Sequence, residues 1–146
     1  MNKKKAESTW PQTAVPRKRV MIVDDHPLVG HGIALLIRED QEFEVIATVG
    51  SVPEALQAID RNPPDLVLLD ISLPGRNGIE LLKDLQVRYP QINVLVLSMH
   101  EESVYAERAL RAGAKGYIMK SEPGEKVLTA MRCVLNEGFY VSPAIA

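Results

Sequence analysis

Four short apolar runs, each ending in a polar residue, constrain the fold of this chain more than any other feature. The runs are residues 20–23 before Asp24 and Asp25, 66–69 before Asp70, 94–97 before Ser98, and 117–119 before Lys120. Uninterrupted apolar runs this short are typical of strands buried on both faces, as in parallel sheets. Because the carboxyl ends of parallel strands lie on one edge, where ligands bind, the pattern predicts a single pocket. That pocket would hold three carboxylates, a hydroxyl and an ammonium.

Helix signals lie between these runs and around a further apolar stretch at residues 43–49. They are Pro27 in a first turn, Ser51 with Glu54 as a capping box, Gly113 at a left-handed C-terminal position, and Ser121 as a cap with Pro123 in the first turn. Five strands thus alternate with five helices. Such alternation predicts an α/β fold, a doubly wound parallel sheet with helices on both faces.

Length and composition limit the class of protein. A chain of 146 residues is expected to form one domain, and its net charge of −2 argues against non-specific nucleic-acid binding. Cys133 is the sole cysteine of the sequence, so it forms no intrachain disulfide or thiolate zinc site, and we expect it in the core. Residues 1–18 are basic with no apolar segment after them, which predicts a disordered tail rather than a secretory signal. No apolar run approaches the roughly 20 residues of a membrane span, so we expect a cytoplasmic protein without membrane contact.

The chemistry of the predicted pocket suits a cation and a phosphate. Three converging carboxylates repel one another unless a cation neutralises them, and an oxygen-only set favours Mg²⁺ over zinc. Lys120 and Ser98 can contact anionic oxygens, and a carboxylate such as Asp70 can form an aspartyl phosphate. Taken singly, a strand-end Asp is usually a turn former and a strand-end Lys is usually solvated. Their combination at the ends of four strands points to phosphoryl transfer.

Several motifs resemble the receiver domain of bacterial two-component response regulators, in particular the NarL/FixJ group. They are VDDHP at 23–27, LDISLP at 69–74 followed by Asn77-Gly78, Leu97-Ser98, and GAKGY at 113–117 followed by Lys120. The resemblance implies a five-stranded, flavodoxin-like (βα)5 sheet of order 2-1-3-4-5 over residues 19–137. Residues 138–146 resemble the start of a linker to a DNA-binding helix-turn-helix domain.

The resemblance also implies roles for individual residues. Asp70 would be the phosphoacceptor, and Mg²⁺ would be held by Asp24, Asp25, Asp70 and the backbone carbonyl of Ser72. Lys120 and Ser98 would contact the phosphoryl group, and Tyr117 would change rotamer with Ser98. Asp70 and Lys120 would carry the catalysis, which is limited to the chain's own phosphorylation and dephosphorylation. The implied partners are a sensor histidine kinase, a second copy in a phosphorylation-dependent dimer, and DNA through an output domain.

Four other residues near the pocket need an interpretation. Met99 departs from the small residue common after the switch hydroxyl, and its side chain either narrows phosphate access or points outward. We interpret His26 as a loop residue near the first helix rather than a metal ligand, and His31 as a helix-surface residue. His100 lies near the predicted pocket mouth, where it could tune the phosphoryl lifetime.

Three alternative functions remain open from the sequence. A haloacid-dehalogenase-type phosphohydrolase also uses a strand-end Asp, but it needs a second Asp two residues on, where this chain has Ser72. A flavin-binding module of the same fold needs a phosphate loop after the first strand, where Asp24 and Asp25 would repel the phosphate. A stand-alone receiver without DNA output would have the same pocket and would differ only in having no output domain.

Overall fold

The computed structural model describes residues 16–71, 78–99 and 103–141, in which strands and helices alternate along the chain. The strands are β1 (Lys18–Val23), β2 (Phe43–Val49), β3 (Leu66–Asp70), β4 (Asn93–Ser98), β5 (Gly116–Met119) and β6 (Tyr140–Val141). The helices are α1 (Pro27–Arg38), α2 (Val52–Arg61), α3 (Gly78–Arg88), α4 (Ser103–Arg111) and α5 (Gly124–Leu135).

All six strands form one parallel sheet in the order β2-β1-β3-β4-β5-β6. This confirms the predicted fold class and the order 2-1-3-4-5. The sixth strand was not predicted, because two residues are too few to show a period. It extends the sheet beyond β5, with Gly116 and Tyr117 paired to Tyr140 and Val141.

The sheet separates two hydrophobic cores. Helices α2, α3 and α4 pack on one face and α1 and α5 on the other. Alternation within β4 shows the division, because Val94 and Val96 belong to the first core while Leu95 and Leu97 belong to the second. Both faces of the central strands are therefore buried, which explains why their sequences are uninterrupted apolar runs.

Most of the predicted helix signals have the expected roles. Ser51 is the N-cap of α2, where its Oγ accepts the Glu54 N–H at 3.4 Å, while the Glu54 carboxylate accepts the Gly50 N–H at 2.9 Å. Gly113 has a φ of +117° just after α4. The prediction that Ser121 caps α5 is wrong. Pro123, with extended angles of φ −60° and ψ 150°, holds the N-cap position, so the helix begins only at Gly124 and has no side-chain cap.

Candidate functional site

Two buried carboxylates lie at the carboxyl edge of the sheet, on neighbouring strands. Asp70 is the last residue of β3 and Asp24 directly follows β1, and they are 3% and 5% exposed. The Asp24 N–H continues the sheet ladder by donating to the Val49 carbonyl at 2.9 Å. Asp25, the next residue, is half-buried. The predicted convergence of the three carboxylates on one edge is therefore present in the structure.

Lys120, the residue directly after β5, brings a positive charge to the same edge. Its Nζ lies 2.8 Å from Asp24 Oδ2 and 3.2 Å from Asp70 Oδ2, and its side chain is only 8% exposed. The Lys120 backbone N–H donates to the Ser98 carbonyl at 2.8 Å, which anchors the residue beside the end of β4. The sequence predicted that Lys120 would reach the pocket, but it did not indicate that the ammonium would bridge two carboxylates.

The electrostatic environment of Lys120 keeps it charged. Burial acts to lower the pKa of its ammonium, but the hydrogen bonds and negative charges of Asp24 and Asp70 outweigh this effect. The net result is a pKa above the ordinary value for lysine. The two buried carboxylates are thus held against a permanent cation at neutral pH.

His26 is the site residue that sequence reasoning missed. It is the N-cap of α1, near the first helix as expected, but its ring lies against the carboxylates. Its Nδ1 is 3.2 Å from Asp24 Oδ1, 3.1 Å from Asp25 Oδ1 and 3.9 Å from Asp70 Oδ2. The local cause is a turn in which Asp24 Oδ1 accepts the His26 backbone N–H at 2.8 Å. Asp side chains commonly bond the backbone two residues on, so the presence of Asp24 was a signal for this turn.

Ser98 and Tyr117 lie behind the carboxylates, within the sheet. Both are completely buried, Ser98 at the end of β4 and Tyr117 in the middle of β5. Tyr117 belongs to the core that contains Ala106 and Ala109 of α4, and strand alternation places Ser98 on the same face. The structure thus brings both residues to one side of the sheet, between the carboxylate edge and α4.

Of the remaining residues that the sequence singled out, some lie inside and some outside the described ranges. Met99 is 72% exposed, which agrees with the outward alternative, and His31 is exposed on α1 as predicted. Cys133 is half-buried rather than in the core as predicted, and its Sγ donates to the Phe139 carbonyl at 3.3 Å. Ser72 and His100 lie outside the described residues.

The acidic residues form a set that fits a divalent cation. Asp24, Asp25, His26 and Asp70 each offer one ligand atom, and these atoms lie within 4.8 Å of one another. Asp25 Oδ1 is buried and has no hydrogen-bond partner among the residues that the structure describes, and the His26 ring nitrogen lies 3.1 Å from it. A buried, unpaired carboxylate oxygen is costly unless a cation contacts it. Carboxylate oxygens are the ligands that Mg²⁺ prefers, so Asp24, Asp25 and Asp70 are suited to hold that ion.

Comparison with known proteins agrees with this geometry. The family model for the response regulator receiver domain matches residues 20–132 of the chain. This chain belongs to the response regulator receiver family. The predicted resemblance is therefore confirmed, and the match favours a receiver over the phosphohydrolase and flavin-binding alternatives. It also places the chain among signalling proteins rather than classical enzymes.

Individual relatives of this receiver are regulators of the same type. The transcriptional regulatory protein DegU of Brevibacillus brevis is 35% identical over 127 residues, which cover 87% of this chain and 54% of DegU. The oxygen regulatory protein NreC of Staphylococcus aureus (strain JH9) is 35% identical over 124 residues, covering 84% of this chain and 57% of NreC. The crystal structure of a LuxR-family two-component response regulator from Aurantimonas sp. SI85-9A1 superposes with a TM-score of 0.85 at 33% identity, covering 89% of this chain and 93% of that one.

The receiver spans about half the length of the curated relatives it matches. Among the helices of residues 16–71, 78–99 and 103–141, none has the length and apolar character needed to cross a membrane.

Proposed function

We propose that this chain is the phosphoacceptor domain of a two-component response regulator that controls transcription. In this proposal Asp70 takes a phosphoryl group from a sensor histidine kinase in a Mg²⁺-dependent reaction. We place the receiver at residues 19–137, after a basic tail at 1–18 whose last residue begins β1. Residues 138–146 would begin a linker to a DNA-binding output domain, with Tyr140 and Val141 extending the receiver sheet as β6. The observation that carries the proposal is the Lys120 ammonium 3.2 Å from the Asp70 carboxylate, beside the acidic pair.

The chemistry follows from the positions of these groups. An Asp70 oxygen would form the new bond to phosphorus as the P–N bond of a phosphohistidine breaks and the departing imidazole takes up a proton. Lys120 lies where it can neutralise the charge of the incoming phosphoryl oxygens. Mg²⁺, when held by Asp24, Asp25, Asp70 and the Ser72 carbonyl, supplies further neutralisation of those oxygens.

The signalling part of the proposal concerns Ser98, Tyr117 and the output. The Ser98 hydroxyl would gain a phosphoryl oxygen as a partner, and Tyr117 on the same face would respond by changing its packing. Transcription control is supported by the names of the relatives, a transcriptional regulatory protein and an oxygen regulatory protein. In this proposal the protein forms a phosphorylation-dependent homodimer and contacts DNA through the output domain alone. Its location is cytoplasmic, as is typical of response regulators.

The first test is direct phosphorylation. The 146-residue chain is incubated with a small acyl phosphate and Mg²⁺, and the adduct is mapped by mass spectrometry. We expect one phosphoryl group on Asp70, no labelling of Asp70→Asn, and loss of labelling when a chelator removes Mg²⁺. Asp84→Asn on α3 is the matched control and should be labelled like the wild type.

Equal labelling of Asp70→Asn and the wild type would refute the assignment of the phosphoacceptor. Labelling that persists in excess chelator would refute the role of the metal. Turnover of a phosphate ester without a stable adduct would instead support the phosphohydrolase alternative. The stand-alone receiver predicts the same labelling but no DNA-binding domain in the full-length gene.

A further inference from the structure

The imidazole of His26 contacts the carboxylates of the acidic pocket directly. The backbone of His26 is fixed by the hydrogen bond from its N–H to Asp24 Oδ1, and its ring makes no helix-capping hydrogen bond. The side chain is 60% exposed, yet Nδ1 is turned inward toward three carboxylates. The ring is thus oriented by the carboxylates of Asp24 and Asp25, not by the start of α1.

The distances from Nδ1 to the oxygens match those between ligand atoms around a single ion. In octahedral coordination with bonds of about 2.1 Å, adjacent ligand atoms are about 3.0 Å apart and opposite ones about 4.2 Å apart. Nδ1 lies 3.1 Å from Asp25 Oδ1 and 3.2 Å from Asp24 Oδ1, close to the adjacent spacing. It lies 3.9 Å from Asp70 Oδ2, close to the opposite spacing. The contact to Asp24 Oδ1 is also of hydrogen-bond length, so a cation would replace that hydrogen bond and an unprotonated Nδ1 would become a further ligand.

Lys120 leaves the position of Nδ1 open, although its ammonium also contacts Asp70 Oδ2 at 3.2 Å. Its ammonium contacts Asp24 Oδ2, whereas Nδ1 of His26 contacts Asp24 Oδ1. The two oxygens of Asp24 are thus divided between the two groups. A cation between Asp24 Oδ1, Asp25 Oδ1 and Nδ1 would also satisfy the buried Asp25 oxygen, for which the described part of the chain provides no hydrogen-bond partner.

An imidazole nitrogen changes which cations such a pocket selects. Mg²⁺ takes oxygen ligands and gains little from nitrogen, whereas Ni²⁺, Cu²⁺ and Zn²⁺ are well suited to imidazole. We propose that His26 is a ligand for divalent transition cations in this pocket, so that Asp24, Asp25, Asp70 and His26 bind them in a mode unavailable to Mg²⁺. This inference shares its acidic residues with the proposed Mg²⁺ site and rests on the proposed function to that extent.

The test compares two cations in three proteins. Binding of Ni²⁺ and of Mg²⁺ is measured by titration calorimetry, at one fixed pH, for the wild type, His26→Ala and His31→Ala. Because removal of even an outer-shell partner costs about 10–100-fold in metal affinity, loss of a direct ligand should weaken Ni²⁺ binding by about tenfold or more. Mg²⁺ affinity of His26→Ala should stay within about twofold of the wild type, since Mg²⁺ uses the oxygens alone. His31→Ala, the matched control on the exposed face of α1, should change neither affinity.

A second measurement separates ligation from an indirect effect of the ring. With diamagnetic Zn²⁺, the ¹⁵N chemical shift of His26 Nδ1 should move on binding while the ring signals of His31 stay in place. Equal Ni²⁺ affinity in the wild type and His26→Ala, or an unshifted Nδ1 signal at saturating Zn²⁺, would overturn the proposal. Equal losses of Ni²⁺ and Mg²⁺ affinity would also overturn it, by showing that the ring only arranges the carboxylates. Absence of Mg²⁺ binding in all three proteins would count against the proposed function, while the Ni²⁺ comparison would still decide the role of His26.

Discussion

Lys120 is the residue on which the charge balance of the pocket depends. Asp24 and Asp70 are nearly inaccessible to solvent, and the Lys120 ammonium contacts both. A buried ion pair need not stabilise a fold relative to an apolar pair, but removing one partner leaves the other charge buried and uncompensated. In this pocket the loss of one lysine would leave two such carboxylates.

We therefore predict that Lys120→Met is strongly destabilised in the absence of divalent cations. The expected loss is about 3–5 kcal/mol in the free energy of unfolding at neutral pH, measured by denaturant titration. Lys126→Met, at an exposed position of α5, is the control and should change stability by no more than about 0.5 kcal/mol. Added Mg²⁺ should restore part of the loss, because binding to the folded state alone stabilises it. Equal stabilities of the two variants would contradict this account of the pocket.

The pH dependence of this difference follows from the pKa of Lys120. In the folded protein this pKa is raised above the reference value of 10.5, so folding favours the protonated form. The contribution of Lys120 to stability is then fully present below pH 10.5 and is lost as the pH rises through the folded-state pKa. The stability difference between the wild type and Lys120→Met should accordingly be constant from neutral pH up to about 10.5 and shrink above it. A stability difference that grew with alkaline pH would show that the pKa of Lys120 is lowered by folding, not raised.

At the scale of elements, the start of α3 determines how closely that helix approaches the end of β3. A Cβ on Gly78 would lie 2.6 Å from Ile71 Cα and 2.9 Å from the Asp70 carbonyl oxygen, both of them backbone atoms. The Gly78 N–H also donates to the Ile71 carbonyl at 2.9 Å. No side chain fits between the helix and the strand end that carries the proposed phosphoacceptor.

Gly78→Ala should therefore damage both stability and the site. Overpacking against backbone is expected to cost about 1–3 kcal/mol of unfolding free energy, and the displaced Asp70 should accept phosphate more slowly. Gly32→Ala in α1 is the control, because a Cβ there has nothing within 4 Å. It should stabilise the protein by about 0.5–1 kcal/mol through helix propensity and leave phosphorylation unchanged. Denaturant titration and the labelling rate measure the two effects, and equal behaviour of the two alanine variants would contradict the close approach.

An element could be predicted from the sequence where the residues that determine it lie within the element itself. The runs ending at Asp24, Asp70 and Ser98 identify buried strands because every side chain in them faces a core. The cap at Ser51 is also a local signal. The position of Ser121 could not be judged from its residue type, since the extended Pro123 after it decides where α5 begins.

At the scale of the whole molecule, the parallel topology explains why the site residues could be grouped before their distances were known. Strand ends in a parallel sheet share an edge, so Asp24, Asp70, Ser98 and Lys120 had to lie together once the strands were recognised. The sequence did not reveal which atoms pair across that edge. The bridge from Lys120 to Asp24 and the inward ring of His26 depend on side-chain reach and on a turn, both of which are set by the assembled fold.

The same topology provides a route from the site to the far edge of the sheet. Ser98 ends β4, Tyr117 lies in the adjacent β5 on the same face, and Val141 of β6 pairs with Tyr117. Helix α4 covers this face with Ala106 and Ala109, which share a core with Tyr117. A shift at Ser98 would thus act on the face that Tyr117 shares with α4, and β6 pairs with the same strand as Tyr117.

The last prediction is that Ser98→Ala still accepts phosphate on Asp70 but loses much of the conformational response. A phosphoryl group offers the Ser98 hydroxyl a partner that exists only in the phosphorylated state, and only such differential contacts shift a two-state equilibrium. Without the hydroxyl this coupling, typically about 1–3 kcal/mol, should be reduced or absent. The readouts are the amide chemical shifts of α4 and β6 and the dimer fraction, compared at equal phosphorylation. Ser98→Thr keeps a hydroxyl and should respond like the wild type; a full response from Ser98→Ala would show that the signal leaves Asp70 by another route.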